Sequence, residues 1–170
     1  LLPNDIFITL FYGVLDARER VMHYASAGHG SPILCHSDGG YEVFESTGRA
    51  LGLLSGARYA ECSAQLQDED SVLFYTDGIT EARRDGQFLE MEGVANIVRQ
   101  YRNASAKELV EGIYRDVRTY ANNLMHDDVA LLAIKVITRD ISESSERSNS
   151  NEITRYSRLT GYTTGVILKS

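Results

Sequence analysis

Two short apolar segments, each bordered by aspartate, constrain the fold of this 170-residue chain more than any other feature. Residues 71–76 end directly before Asp77, and residues 129–136 begin directly after Asp127 and Asp128. Short, nearly continuous apolar runs are typical of strands buried on both faces of a sheet. If these two strands are antiparallel neighbours, the end of the first lies beside the start of the second. The pattern therefore predicts that Asp77 and Asp127 come together at one edge of a sheet, although 50 positions separate them.

Converging carboxylates repel one another unless a proton or a cation lies between them. Oxygen ligands alone favour Mg²⁺, Mn²⁺ or Ca²⁺ over zinc. A second interpretation stays open, because an Asp-Gly pair after a strand, here Asp77-Gly78, is commonly a turn in which the aspartate bonds to its own backbone. Spacing alone thus allows either a cation site or a plain turn.

The rest of the chain predicts an α+β fold with most strands in its first two thirds. Further strands are expected at 6–12, 21–25, 33–35, 41–44 and 59–66, with turns at 16–20 and 37–40. Helical spacing of apolar residues predicts helices at 91–102 and 105–124. Ser105 and Glu108 form a capping box at the start of the second helix, and Gly112 should weaken that helix slightly.

The composition changes after Ile137, and residues 142–152 contain no apolar side chain. Such a stretch cannot bury enough surface to offset the entropy of ordering it. We therefore expect a folded domain at 1–137 and a flexible polar linker and tail at 138–170. Within that tail, residues 162–168 form either a short strand or no regular structure.

Charge and composition exclude several classes of protein. The net charge of −7 argues against a nucleic-acid partner. No apolar run approaches the length of a membrane-spanning helix, and no signal peptide is visible. Cys35 and Cys62 have neither zinc-site spacing nor the pattern of a disulfide scaffold, which favours a reducing, cytoplasmic location.

Four motifs occur in an order that resembles the PPM (PP2C-like) serine/threonine phosphatases. They are Ser26-Ala-Gly-His29, Leu51-Gly-Leu53, Tyr75-Thr-Asp-Gly-Ile-Thr-Glu-Ala82 and His126-Asp-Asp-Val-Ala-Leu131. The match covers about residues 5–136 and is greatest to the bacterial branch of sporulation stage II and stress-response phosphatases of partner-switching pathways. It implies a PPM-type αββα sandwich, in which two stacked antiparallel sheets are flanked by helices.

The resemblance also implies a chemistry. Such enzymes hold two Mn²⁺ or Mg²⁺ ions in a carboxylate cluster and use them to activate a water that attacks phosphorus. By motif, Asp77 and Asp127 are metal ligands, Asp128 supports them, and Gly78 lets the backbone pass close to the metal because it has no Cβ. The expected substrate is a phosphorylated anti-sigma-factor antagonist, a small regulatory protein, and an upstream sensor or regulatory domain is expected.

One departure from the family pattern matters for activity. The family's Asp-x-x-Gly-His-Gly-type motif, whose aspartate bridges both metals, is missing, although Gly28-His-Gly30 resembles its tail. We therefore expect the C-terminal part of a phosphatase domain that lacks its N-terminal third, with little activity as an isolated chain. The alternative function is a non-catalytic regulatory or binding module that keeps the fold without a complete metal centre.

Some side chains near these motifs have two interpretations each. His29 is either a catalytic acid or a hydrogen-bonded structural histidine. His126 is either a phosphate or outer-sphere contact or a simple loop residue. Arg83 and Arg84 either attract a phosphorylated substrate or are solvated surface. The sequence assigns no other residue to substrate binding.

Overall fold

The computed structural model describes residues 6–137 and the backbone of 162–169. In chain order the elements are β1 (Leu10–Asp16), β2 (Val21–Ala27), β3 (Ile33–Cys35), β4 (Tyr41–Val43), β5 (Cys62–Gln65), β6 (Ser71–Tyr75), α1 (Asp77–Thr80), β7 (Arg83–Arg84), β8 (Gln87–Phe88), α2 (Glu90–Gln100), α3 (Ala106–Tyr120), β9 (Val129–Val136) and β10 (Tyr162–Lys169). They divide into two units. The first takes the described part of Leu1–Pro32 with Val43–Gln67, and the second takes Ile33–Glu42 with the described part of Asp68–Ser170.

An antiparallel sheet in the order β1-β2-β5 forms the first unit. The predicted turn between β1 and β2 is confirmed, and Asp16 stabilises it. Its carboxylate accepts hydrogen bonds from the backbone N–H groups of Glu19 (3.0 Å) and Arg18 (2.9 Å). These two bonds lower the pKa of the Asp16 carboxyl. Strand β1 runs from Leu10 to Asp16, directly before this turn. It therefore overlaps only the second half of the predicted strand at 6–12.

The second unit is built on an antiparallel sheet in the order β10-β9-β6-β3-β4. Strand β6 pairs with β9 from Tyr75↔Leu131 to Ser71↔Lys135, so the expected antiparallel neighbours are confirmed. Strand β10 pairs antiparallel with the other edge of β9. The predicted flexible linker and tail cover 138–170: residues 162–169 of that stretch form β10 on the sheet, and residues 138–161 lie outside the described part of the chain.

Helices α2 and α3 pack on this sheet through one apolar core. The core joins side chains that are at most 1% exposed from β3, β6, α1, both helices and β9: Ile33, Leu73, Ile79, Val94, Val98, Leu109, Ile113, Val117 and Leu131. Both helices lie where the apolar periodicity predicts them. The second ends at Tyr120 rather than at 124, since Asn122 and Asn123 adopt positive φ (51° and 63°), which stops a helix.

Two local predictions about α3 had different outcomes. The capping box is confirmed: the Ser105 N–H donates to Glu108 Oε2 (2.9 Å), and the Glu108 N–H donates to Ser105 Oγ (3.3 Å). Gly112, by contrast, has a packing role, because a Cβ at this position would overlap the ring of Tyr101. The Tyr101 hydroxyl is held by Asp116 Oδ2, to which it donates (2.7 Å), and by Arg115, from which it accepts (2.8 Å).

A buried lysine fixes the loop between the two helices to the sheet. Lys135 on β9 is 3% exposed, and its Nζ donates to the Arg102 carbonyl (2.6 Å). The Glu69 carboxylate lies 3.3 Å from the same ammonium group. The charge is therefore neutralised and hydrogen-bonded, as a buried charge must be.

Two short elements were not predicted. Residues 77–80 form the single helical turn α1, and residues 83–88 form the small hairpin of β7 and β8. Asp85 and Gly86 both have positive φ (53° and 82°), which is the geometry of a two-residue hairpin turn. Asp-Gly is a standard signal for such a turn, so the hairpin was predictable. In the described part of the chain, no helix is long and apolar enough to cross a bilayer.

Candidate metal centre

The end of β6 and the start of β9 are joined through Thr76. Its backbone N–H donates to the Ala130 carbonyl (3.1 Å), and its side-chain Oγ1 accepts from the Ala130 N–H (2.9 Å). The same hydroxyl donates to the Asp128 carbonyl (2.9 Å). The backbone that carries Asp77 therefore lies next to the backbone that carries Asp127 and Asp128.

Gly78 allows this close approach. A Cβ at Gly78 would lie 2.6 Å from the Asp128 carbonyl oxygen and 3.3 Å from the carbonyl carbon of Asp127. The first distance is too short for a Cβ, and the second is a tight contact. The sequence predicted that Gly78 lets the backbone pass close to a metal. In the structure the backbone at 127–128 is a neighbour that excludes a Cβ at Gly78, and the close approach to a metal stays a prediction.

Each candidate carboxylate accepts a hydrogen bond from the backbone N–H of the next residue. Asp77 Oδ1 accepts from the N–H of Gly78 (3.1 Å), and Asp127 Oδ1 accepts from the N–H of Asp128 (2.8 Å). These bonds are the ones expected of plain turns, and they also orient the side chains. Within residues 6–137, Oδ2 of both aspartates has no hydrogen-bond partner, which leaves one oxygen of each for a cation.

A small polar cavity of about 60 Å³ lies at this edge of the second unit. Its lining residues are Gly78, Glu81, Arg83, His126 and Asp127. The cavity thus brings the candidate ligand Asp127 together with Gly78. It also includes Arg83 and His126, two basic residues for which the sequence allowed two interpretations each. Among the described residues, Asp77 and Asp128 are not part of the lining.

The donor set fits part of a metal site. Carboxylate oxygens suit Mg²⁺ and Mn²⁺, which take about six oxygen ligands, several of them often water. Across residues 6–137, however, no three side chains of His, Cys, Asp or Glu are grouped so that they could hold a metal ion. Asp77 and Asp127 are therefore suited to be two ligands of a larger site and do not form a complete one.

The sequence did not settle the roles of two residues, Thr76 in the second unit and His29 in the first. Thr76 was missed as a structural element of the site, although its position directly after a buried strand is a usable signal. His29 lies in the first unit, where its Nδ1 is 3.3 Å from the hydroxyl of Thr9. That contact favours the structural interpretation of His29.

The antiparallel α+β fold of this chain is that of PPM-type phosphatase domains, as solved structures confirm. The phosphatase domain of the cell-fate determinant SpoIIE from Bacillus subtilis (Mn presoaked) superposes with a TM-score of 0.64 at 12% identity, covering 79% of this chain and 59% of that one. The SiaA-PP2C domain of Pseudomonas aeruginosa gives 0.62 at 20% identity, covering 72% and 49%. At these identities the likeness establishes the fold alone.

Sequence comparison identifies the family. Residues 1–137 match the family model of stage II sporulation protein E (SpoIIE), and the chain belongs to this family. It is also 30% identical over 133 residues to the phosphoserine phosphatase RsbU of Bacillus subtilis (strain 168). That match covers 77% of this chain and 39% of RsbU, so the chain spans well under half of that relative's length. The predicted resemblance is thereby confirmed.

Proposed function

We propose that this chain belongs to the catalytic domain of a metal-dependent protein serine/threonine phosphatase. The observation that carries the proposal is the antiparallel pairing of β6 with β9, which sets Asp77 and Asp127 at adjoining strand ends. Membership of the SpoIIE family and the similarity to a phosphoserine phosphatase support the same activity. The free cysteines Cys35 and Cys62 are consistent with a reducing, cytoplasmic location.

The proposed metal is Mn²⁺ or Mg²⁺, with Asp77 and Asp127 as ligands and Asp128 in support. Bound in pairs, such ions supply an activated water and offset the charge that develops on the phosphoryl group. The protein itself contributes the orientation of the two strand ends that carry Asp77 and Asp127. Thr76 fixes the two strand ends, and Gly78 keeps the space between them free of a side chain.

The proposed substrate is the phosphoserine or phosphothreonine of an anti-sigma-factor antagonist. The similarity to RsbU supports a phosphoserine substrate, and the family resemblance supports this class of regulatory protein. A sensor or regulatory domain in the same polypeptide belongs to the proposal as well. The net charge of −7 makes a nucleic-acid substrate a poor fit.

A second candidate function has its own support. The described residues group no three potential metal-ligating side chains, which favours a module that keeps the phosphatase fold and binds a partner without catalysis. The two functions differ in one observable. A phosphatase releases phosphate in the presence of Mn²⁺ and stops when the metal is chelated, whereas a binding module releases none.

The decisive experiment measures Mn²⁺-dependent phosphate release from a phosphoserine protein by the polypeptide that contains this domain. Asp77→Asn and Asp127→Asn should each lower kcat/KM by at least about 100-fold, because both would remove a metal ligand. Asp38→Asn is the matched control, since Asp38 also accepts a local backbone hydrogen bond, from Gly40 (2.7 Å), but lies in the turn after β3. Unchanged turnover in Asp77→Asn would remove Asp77 from the mechanism, and no turnover by the parent protein would favour the binding module.

A further inference from the structure

The hairpin of β7 and β8 carries two arginines whose side chains are held apart. In a strand, successive side chains point to opposite faces. Arg83 lies opposite Phe88 in the hairpin, and its guanidinium is 5.3 Å from the centre of the Phe88 ring. Arg84 stacks instead on Tyr120 of α3, at 4.8 Å. The two neighbouring arginines therefore have different surroundings.

Tyr120 also fixes the hairpin to the helix. Its hydroxyl donates to the carbonyl oxygens of Gln87 (3.2 Å) and Phe88 (3.4 Å). The stacking of Arg84 on the same ring adds a second contact between hairpin and α3. Arg83 is thus mounted on a supported strand rather than on a free loop, which lowers the entropy lost when it binds a ligand.

Only Arg83 of this pair lines the polar cavity, together with Gly78, Glu81, His126 and Asp127. Although two carboxylates share the cavity, no ion pair joins either of them to Arg83 within the described residues. Its guanidinium is occupied on one face by Phe88, while its N–H donors are not committed to a carboxylate there. An arginine in this state presents a planar fork of donors that matches the oxygens of a phosphoryl group.

We propose that Arg83 is a substrate-binding residue that holds the phosphoryl oxygens of the substrate beside Asp127, while Arg84 anchors the hairpin and takes no part in binding. This assignment rests on the proposed function, because Asp127 is the candidate metal ligand of the same cavity. Recognition of phosphate by a fixed arginine would orient the phosphorus toward the carboxylate site.

The test measures binding of inorganic phosphate, the product of the proposed reaction, so it does not depend on turnover. Phosphate is titrated in Mg²⁺ buffer and followed by ³¹P NMR for the parent chain and for Arg83→Gln, Arg83→Lys and Arg84→Gln. Loss of a charge-assisted hydrogen-bonding group should weaken binding roughly 10- to 100-fold in Arg83→Gln. Arg83→Lys keeps the charge but not the fork of N–H donors, so its phosphate affinity should be intermediate. The phosphate affinity of Arg84→Gln should stay within about twofold of the parent's.

Several outcomes overturn the assignment. They are equal phosphate affinity in Arg83→Gln and the parent, equal weakening in Arg83→Gln and Arg84→Gln, or no phosphate binding by the parent. Circular dichroism of each variant checks that the hairpin change leaves the fold intact. A parallel assay with p-nitrophenyl phosphate separates this proposal from the function. Phosphate binding that depends on Arg83, without any hydrolysis by the longer polypeptide that contains this domain, would reject the phosphatase and retain Arg83 as an anion-binding residue.

Discussion

The hydroxyl of Thr76 and the carbonyl of Asp128 form a 2.9 Å hydrogen bond between residues that are 52 positions apart in sequence. The bond lies one residue from each candidate ligand, between Thr76-Asp77 on one strand end and Asp127-Asp128 on the other. Because the same hydroxyl accepts from the N–H of Ala130, a single side chain fixes the relative position of both aspartates. The same two hydrogen bonds therefore stabilise this junction and set the geometry of the candidate site.

Thr76→Val should destabilise the second unit by about 1–3 kcal/mol, because it removes one donor and one acceptor and leaves their partners unsatisfied. Thr76→Ser retains the hydroxyl and should recover most of the loss. Urea unfolding of the three proteins measures the free energies. Equal stability of the valine and serine variants would show that the hydroxyl bonds do not hold the strand ends together.

Gly78→Ala should cost about 1–3 kcal/mol, because its methyl group meets the backbone at 127–128, which cannot move without shifting the start of β9. Gly40→Ala is a suitable control. There the nearest atom to an added Cβ is the Asp38 carboxylate at 3.1 Å, and a side chain can move away. Chemical shifts of residues 126–130 should change in the first variant and stay constant in the second.

Gly112→Ala tests two opposing effects within α3. Helix propensity alone predicts a gain of about 1 kcal/mol. The added methyl group would displace the Tyr101 ring, which is held by Asp116 and Arg115, so we expect a net loss of about 1–3 kcal/mol. In a Tyr101→Ala background the same substitution should become stabilising. A double-mutant cycle by thermal or urea unfolding measures the change of sign.

Tyr75 should make stability fall at alkaline pH. Burial raises the pKa of its phenol from 10.0 to about 12. Below pH 10 the group is neutral in both the folded and the unfolded chain. Between pH 10 and 12 the unfolded chain loses the proton first, so the folded state loses up to about 2 kcal/mol relative to it. Tyr75→Phe lacks this loss, so its free energy of unfolding, measured with urea relative to the parent protein, should rise by about 2 kcal/mol between pH 9 and pH 11.5.

The 170-residue chain by itself should bind Mn²⁺ weakly and hydrolyse phosphoserine protein slowly. Two carboxylates provide too few ligands for tight binding of a hard cation. The electron paramagnetic resonance signal of free Mn²⁺, titrated with protein, reports the affinity directly. A dissociation constant in the micromolar range or lower would show that the ligand set is more complete than the described residues indicate, and Asp77→Asn should then abolish that binding.

Local chemistry was predictable from the sequence where it depends on a few neighbouring residues. The capping box of Ser105 and Glu108 and the turn at Asp16 follow from side chains that bond within three positions. The two apolar runs identified β6 and β9 as buried strands, and their antiparallel pairing was a hypothesis that the structure confirms. Each of these inferences needed only a pattern and a known hydrogen-bond geometry.

Features that depend on long-range packing were not predictable in the same way. Gly112 looked like a weak helical residue because nothing nearby in sequence indicates that the Tyr101 ring covers it. The contact of Gly78 with the backbone at 127–128 was not predicted, because that segment is about 50 residues away in sequence. Arg83 and Arg84 are adjacent in sequence, and the sequence does not show their different aromatic partners, Phe88 and Tyr120, or that Arg83 alone of the two lines the cavity.

The bond from Thr76 to Asp128 also bears on how the protein reaches its native state. The chain leaves β6 at Thr76, builds α1, the small hairpin, α2 and α3, and returns to begin β9 beside its point of departure. Closing a flexible loop of this length costs about 3.5 kcal/mol from its logarithmic dependence on length alone. That cost falls once the two helices have docked, since a folded insert already holds its ends near each other. The two aspartates should consequently meet late in folding, and the rate at which they meet should depend on the core between α2, α3 and the sheet.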